Sequence, residues 1–504
     1  AGRIASASPA VLGSLADKSL LARAGDGRWH LHEVVRQFAW EACCATASRR
    51  DTVIQRRDAF YLGWLREIAP RLDGPEEADA LASIDRESAN LREAWASAAK
   101  AGRLHALAAA APAWFDFLEG RSLNDEGIAA ATAWMQAARE SGDRLALAHA
   151  AYYLGLFQRF CAMNAEALAT LEGALAEARS EPLLASRIHA AKAFALLLLG
   201  RLDEAEGAAK DALGHAERTG DATACASACR VLGLARLQAS RREEGRDCER
   251  RALAYAQQVG RPSLVAAAYN NLALAENHLG NHVAAEAGYR AALENWRAIG
   301  STVNVGRGLH NLGVVATRQG EHATALERYR EALGHLRKAG DRNLIALNLM
   351  STGDALLRLG HADEAREPCR QALEMAERDG HVLPALDARI VLAQAAIELG
   401  EPAEAARHLL IVLDSAGERR YAHVLADAVV SAARLCLKVK PAMRETVLGW
   451  ARAIAVAPEV TIAIRRDAEA LLAACGEAPH AAEPAPREVA ALAAEARGAL
   501  EDLA

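Results

Sequence analysis

The stretch from Arg261 to Gly340 repeats itself at a step of forty positions. Leu272 recurs as Leu312, Gly280 as Gly320, Ala285 as Ala325, Tyr289 as Tyr329, Leu293 as Leu333 and Gly300 as Gly340. The register runs outward from there. Glycines stand at 200, 220, 260, 280, 300, 320, 340, 360, 380 and 400, with Ser240 in the one gap. An Ala-Leu pair recurs from Ala212-Leu213 to Ala372-Leu373. A fixed period constrains a chain more than any isolated motif does. A unit that cannot bury its own apolar face must stack on the next.

Between glycines the apolar residues fall at helical spacing: Leu309, Leu312, Val315 and Ala316 in one half-unit, Ala325, Tyr329, Ala332 and Leu336 in the other. Glycine ends a helix in the left-handed conformation without a steric cost. Each unit is therefore expected to be two antiparallel helices joined by a tight turn. Gly313, Gly353, Ala273 and Ala393 share one column, where a small side chain lets helices approach closely. The expected class is all-α, a solenoid with a continuous core and a concave inner face.

The pattern resembles the tetratricopeptide repeat. Leu312-Gly313 in the first helix, Ala325 and Tyr329 early in the second, and Ala332 after them carry the likeness. It is similar to the forty-residue variety found in kinesin light chain and bacterial signalling proteins, and it implies a right-handed α-solenoid. The match runs from about residue 183 to 417. It continues upstream with a 38-residue step, where Gly155 fits the column of Ala193. Lys192, where a core leucine is expected, and Arg241-Arg242 beside the missing glycine depart from it.

A chain of 504 residues exceeds one compact core, which a solenoid does not need. The net charge of −6 argues against a phosphate-binding face along the whole chain. The arginines from Arg236 to Arg251 read as a solvated helix face. Nine cysteines show no framework spacing, and no histidine completes a metal site with Cys225 and Cys229. The first residues lack a signal peptide's apolar run, and the most apolar windows are too short to span a bilayer. These readings point to a cytoplasmic protein with no membrane and no direct nucleic-acid partner.

Residues 1–47 differ from the rest. Pro9 to Asp17 reads as a helix, Ser19 to Arg23 and Arg28 to His32 as strands around a Gly25-Asp26-Gly27 turn, and Glu33 onward as a helix again. Helix, hairpin and helix suggest part of a winged helix. The run Leu31, His32, Glu33, Val34, Val35, Arg36 resembles the winged-helix end of the nucleotide-binding module in STAND-class signalling ATPases. Asn90-Leu91-Arg92, Trp114, Gly120-Arg121 and Glu126-Gly127 resemble the helical connector that follows that module. The expected organisation is a winged-helix end at 1–47, a connector of four or five helices at 48–141 and repeats at 142–418. Capping helices follow at 419–476. Residues 477–504 read as a linker with either a terminal helix or disorder.

The resemblance implies that His32 reaches the β-phosphate of ADP bound in a parent protein and holds its resting state. The alternative is a surface or capping histidine at a helix start. No GxxxxGK[ST] loop occurs, so no cofactor is expected in this chain, and ADP or ATP would belong to an upstream module. No catalytic constellation appears, and the chain is read as a non-enzyme. The polar positions of the first helices are the candidate ligand-facing residues: Arg230, Asn270, Asn271, His278, Arg307, His310, Asn311, Arg318, Asp354 and Arg358. Such a mildly basic lining suits an acidic peptide, a carboxyl terminus or a phosphorylated ligand. It also fits a solvated groove whose asparagines only tie helices together. Two readings follow. One is the sensing, autoinhibitory arm of a STAND-class ATPase, which binds a protein, peptide or small-molecule inducer and its own nucleotide module in cis. The other is a stand-alone adaptor.

Overall fold

The computed structural model describes residues 8–23, 29–43, 46–72, 76–178, 180–419, 421–457, 460, 462–477 and 488–504. The expected Gly25-Asp26-Gly27 turn and most of the 477–486 linker lie outside them. Two compact units divide the chain, residues 1–301 and 302–504. The described residues hold 24 α-helices and one two-stranded hairpin.

The first unit opens with α1 (Pro9–Asp17), β1 (Leu21–Arg23), β2 (Trp29–Leu31) and α2 (Glu33–Cys43). The strands pair antiparallel, with Leu21 opposite Leu31. Leu31, Val34, Phe38 and Trp40 are all exposed, so this segment buries little of its own apolar surface. Four helices follow where the connector is expected: α3 (Ala47–Leu72), α4 (Glu77–Lys100), α5 (Leu104–Gly120) and α6 (Asn124–Ser141). Their core is aromatic. Trp95 donates its indole N–H to Ala130 O at 3.1 Å, and Phe115 stacks on Tyr153 at 4.2 Å. Asp58 is fully buried between the guanidinium groups of Arg57 and Arg103, each at 2.8 Å.

Hairpins then follow in order: α7 (Arg144–Phe160) with α8 (Asn164–Glu177), α9 (Pro182–Leu198) with α10 (Leu202–Thr219), α11 (Ala222–Gln238) with α12 (Arg242–Val259), and α13 (Pro262–His278) with α14 (His282–Ala298). The second unit continues with α15 (Thr302–Gln319) and α16 (His322–Ala339), α17 (Arg342–Arg358) and α18 (Ala362–Arg378), α19 (Val382–Leu399) and α20 (Pro402–Arg419). It closes with α21 (Ala422–Val439), α22 (Arg444–Val456), α23 (Ile462–Ala474) and α24 (Val489–Leu500).

Every glycine of the forty-residue register has a positive φ, and so does Ser240, at 61°. That residue holds the left-handed turn at the steric cost glycine avoids. After several turns an aspartate restarts the chain: Asp143, Asp221 and Asp341 accept the backbone N–H three residues on, at 2.9, 2.7 and 3.0 Å. The small column is tight. A Cβ at Gly313 would stand 2.5 Å from Tyr329 Cε1, and one at Gly155 2.6 Å from Leu171 Cγ.

Lys192 does not enter the core. It is half-buried, and its ammonium pairs with Glu172 at 2.9 Å, so the stem packs while the charge stays wet. The terminal segment, expected as helix or disorder, contains a helix. Val489, Leu492 and Ala496 of α24 bury into one core with α20, α21 and Trp450. Trp450 donates its indole N–H to Glu495 at 2.9 Å. Among the described residues no helix is long and apolar enough to cross a membrane.

Candidate ligand-facing surfaces

In the first unit the polar residues of the first helices lie around a patch built by α5, α7, α9 and α11. Arg159 on α7 and Arg230 on α11 place their guanidinium carbons 4.4 and 5.8 Å from the Phe194 ring centroid on α9. Burial works against the charge of Arg187, also on α9, while Tyr152, Tyr153, Asp221 and Asp116 favour it and raise its pKa. Glu119 on α5 reaches solvent, yet protein surrounds it on most sides, the mark of a concave wall. Burial and then the neighbouring Asp116 push its carboxyl up, against the pull of Arg159, Arg261 and Arg230. On α12, Glu249 is wholly buried opposite Gly233, and neither of its carboxyl oxygens has a hydrogen-bond partner. Burial raises its carboxyl well above the ordinary range, against the pull of Arg230.

The start of α4 meets the start of α13. Glu77, 2% exposed, accepts the backbone N–H of Ser263 at 2.8 Å and the Arg261 Nε–H at 3.2 Å. Arg261 also pairs with Asp116 at 2.9 Å. Glu77 thus caps a helix whose start lies 186 residues away in the chain. Asn270 and Asn271 bond to each other, Nδ2 to Oδ1, at 3.2 Å, and both are half-buried. His278 is half-buried near the end of α13.

In the second unit Arg307 and Arg318 on α15 are exposed and Asn311 is half-buried. His310 is not on the ligand-facing surface. It is 5% exposed, its ring lies 5.3 Å from that of Tyr329, and Asn348 Nδ2 stands 3.3 Å from its Nδ1. Burial holds its imidazole down at about 4. The register that puts a half-buried asparagine at 270 puts a buried histidine at 310, because the facing Asn348 gives the ring a polar partner inside.

Arg358 and Asp354 line a cleft of about 180 Å³ with Leu357, Gln394, Ile397, Glu398 and Arg434. Arg358 pairs with Asp354 at 3.0 Å and with Asp467 of α23 at 3.6 Å, and Arg434 pairs with Asp467 at 3.5 Å. Asp427, one turn from Ser431, sits behind Gln394, whose Nε2 donates to Ser431 Oγ at 3.0 Å. Burial first, and then Asp467 and Asp387, push the Asp427 carboxyl up to about 7 against the pull of Arg434. Burial alone raises Asp387 to about 6. Among the described residues no group of His, Cys, Asp and Glu is arranged to hold a metal.

His32 stands exposed at the start of α2, and its Nδ1 accepts the Val34 N–H at 3.4 Å, a helix-start contact. Sequence reasoning missed Glu77, Arg187, Glu249, Asp387 and Asp427. Asp387 and Asp427 were within reach, since they fall in the forty-residue column of Arg307, which the sequence singled out. Glu77 lies outside the repeat and left no signal.

The tetratricopeptide repeat pattern matches residues 264–338. The sequence matches no curated protein. Among solved structures, the chain is similar to a STAND (signal transduction ATPase with numerous domains) protein with a tetratricopeptide repeat sensor from Pyrococcus horikoshii. That likeness has a TM-score of 0.54 at 16% identity over 89% of this chain and 61% of that one. It is also similar to the apo quorum sensor NprR from B. thuringiensis, with a TM-score of 0.44 at 17% identity over 73% of this chain and 99% of that one. At 16% identity the likeness to the STAND protein is one of fold. The chain spans about three-fifths of the length of the STAND protein.

Proposed function

We propose that this chain is the non-catalytic sensing arm of a STAND-class ATPase: a ligand or partner bound on the inner faces of the repeats releases a nucleotide-binding module held in cis. The exposed Leu31, Val34, Phe38 and Trp40 carry this reading. An isolated helix-hairpin-helix leaves these side chains in water, whereas the end of a larger folded module would cover them. The Leu31-His32-Glu33 motif stands in the same segment, and the fold likeness to a STAND protein runs along most of the chain. In this reading His32 belongs to the ADP site of the module and contributes nothing to the arm alone. The cytoplasm is the compartment where such a module finds its nucleotide.

The test reads the open frame that carries this chain and then assays its full product. A P-loop in frame ahead of Ala1, and ATP turnover that rises when residues 142–418 are deleted, are the expected results. An open frame with no P-loop, or turnover that falls on deletion, removes the ATPase and leaves an adaptor.

A further inference from the structure

Two acids beside the first unit's inner patch are held by direct bonds, and two of its arginines make none. Glu77 is held by Ser263 and Arg261, and Asp116 by Arg261. Glu249 faces Gly233 from inside the core. Arg187 and Arg230 form no hydrogen bond or ion pair with any described residue, and the Arg230 Nε–H is buried without a partner. A guanidinium group cannot neutralise itself by losing its proton, so a half-buried one that feels acids only at a distance gains from an oxyanion in direct contact.

We propose that the inner face of the first unit is an oxyanion site, in which Arg187 and Arg230 take a carboxylate or phosphate group of the ligand. Each fork offers paired N–H donors to such a group. Phe194 flanks Arg230 from one side, its ring centroid 5.8 Å from the guanidinium carbon. The proposal deepens the sensing reading by naming the ligand class, and it does not depend on the ATPase.

The probes are N-acetylglycine for a lone carboxylate and phenyl phosphate for a phosphoryl group. They are titrated into the full chain at constant ionic strength, and the thermal unfolding midpoint is read. The expected result is a midpoint that climbs with one probe, the responding probe identifying the source, while equal chloride has no effect. In Arg187→Gln and Arg230→Gln the binding constant should fall about tenfold each, the scale of one charge-assisted hydrogen bond. The double glutamine variant without any probe should melt close to the wild type, because neither arginine makes a hydrogen bond or ion pair that the substitution would break. Three results would overturn the site: no shift with either probe, shifts that survive in both variants, or a double variant that melts well below the wild type. That last outcome would show that the arginines are structural. None of these readings measures nucleotide turnover, so failure here and failure of the ATPase assignment are separable.

Discussion

Arg187 in the first unit and Asp387 and Asp427 in the second stand at one register of the forty-residue repeat. The backbone there is alike, each residue standing five positions after the first residue of its helix, but the surroundings are opposite. The first unit sets guanidinium groups against aromatic rings and leaves two of them without a direct ion pair among the described residues. The second packs four aspartates, 354, 387, 427 and 467, around two arginines and forces some carboxyls toward neutrality. A repeat therefore fixes where a side chain is presented and leaves its charge open. Two units of one fold can present different ligand chemistries.

The largest break in this comparison is Glu77→Ala, which touches only the first unit. It strands the Ser263 N–H and removes one of the carboxylates on Arg261, which keeps Asp116, and should lower that unit's stability by about 3 kcal/mol, a lost charge-assisted bond and an unsatisfied buried donor together. Hydrogen exchange resolved by peptide checks it. Amides at the start of α13 should lose protection while those of α19 keep theirs. The counterpart in the second unit is Gly313→Ala, whose new methyl meets the Tyr329 ring. Urea denaturation should show a loss of up to about 3 kcal/mol, as expected for overpacking.

A smaller effect comes from His310, whose folded-state pKa is about 4. The imidazole is neutral in the fold and charges in the unfolded chain below about 6.5, so between those values the unfolded state binds more protons. The second unit should lose about 2 kcal/mol between pH 6.5 and 5, and His310→Gln should flatten that slope. The smallest effect has the opposite sign. The Asp427 carboxyl, with a folded-state pKa of about 7, is protonated in the fold at pH values where the unfolded chain has released its proton, so it withdraws stability as pH rises from about 4 to 7. Asp427→Asn should therefore gain about 1 kcal/mol at pH 8 after allowance for partial exposure, measured as a raised midpoint. A variant that loses stability at that pH would show a carboxylate ionised in place and would erase the contrast with Arg187.

The helices and their turns were legible because glycine spacing and apolar periodicity are local: Gly340 ends α16 and Asp341 starts α17 whatever lies elsewhere. The inward column was legible for the same reason, through Gly313 and Gly353. The ligand-facing residues were only partly so. Arg230 lies beside Phe194 and Arg358 lines a cleft with Asp354, yet His310 turns inward because Asn348, one unit on, offers it a polar partner. No spacing rule states what the next unit presents. The Glu77 contact was invisible for a harder reason, since it joins residues that no period relates.

That contact changes how the first unit should come apart. In a linear array each repeat couples only to its neighbours, so stability is a sum along the chain and the ends fray first. Glu77 adds a coupling between positions 186 residues apart, and the stretch from α4 to α13 no longer has two independent ends. The hairpins between them can form early, since their contacts are local, and the Glu77 bridge can close only after the path joining its two sides has folded. Once closed, it ties the fraying of either end to the other. The first unit should then unfold as one cooperative block instead of peeling repeat by repeat.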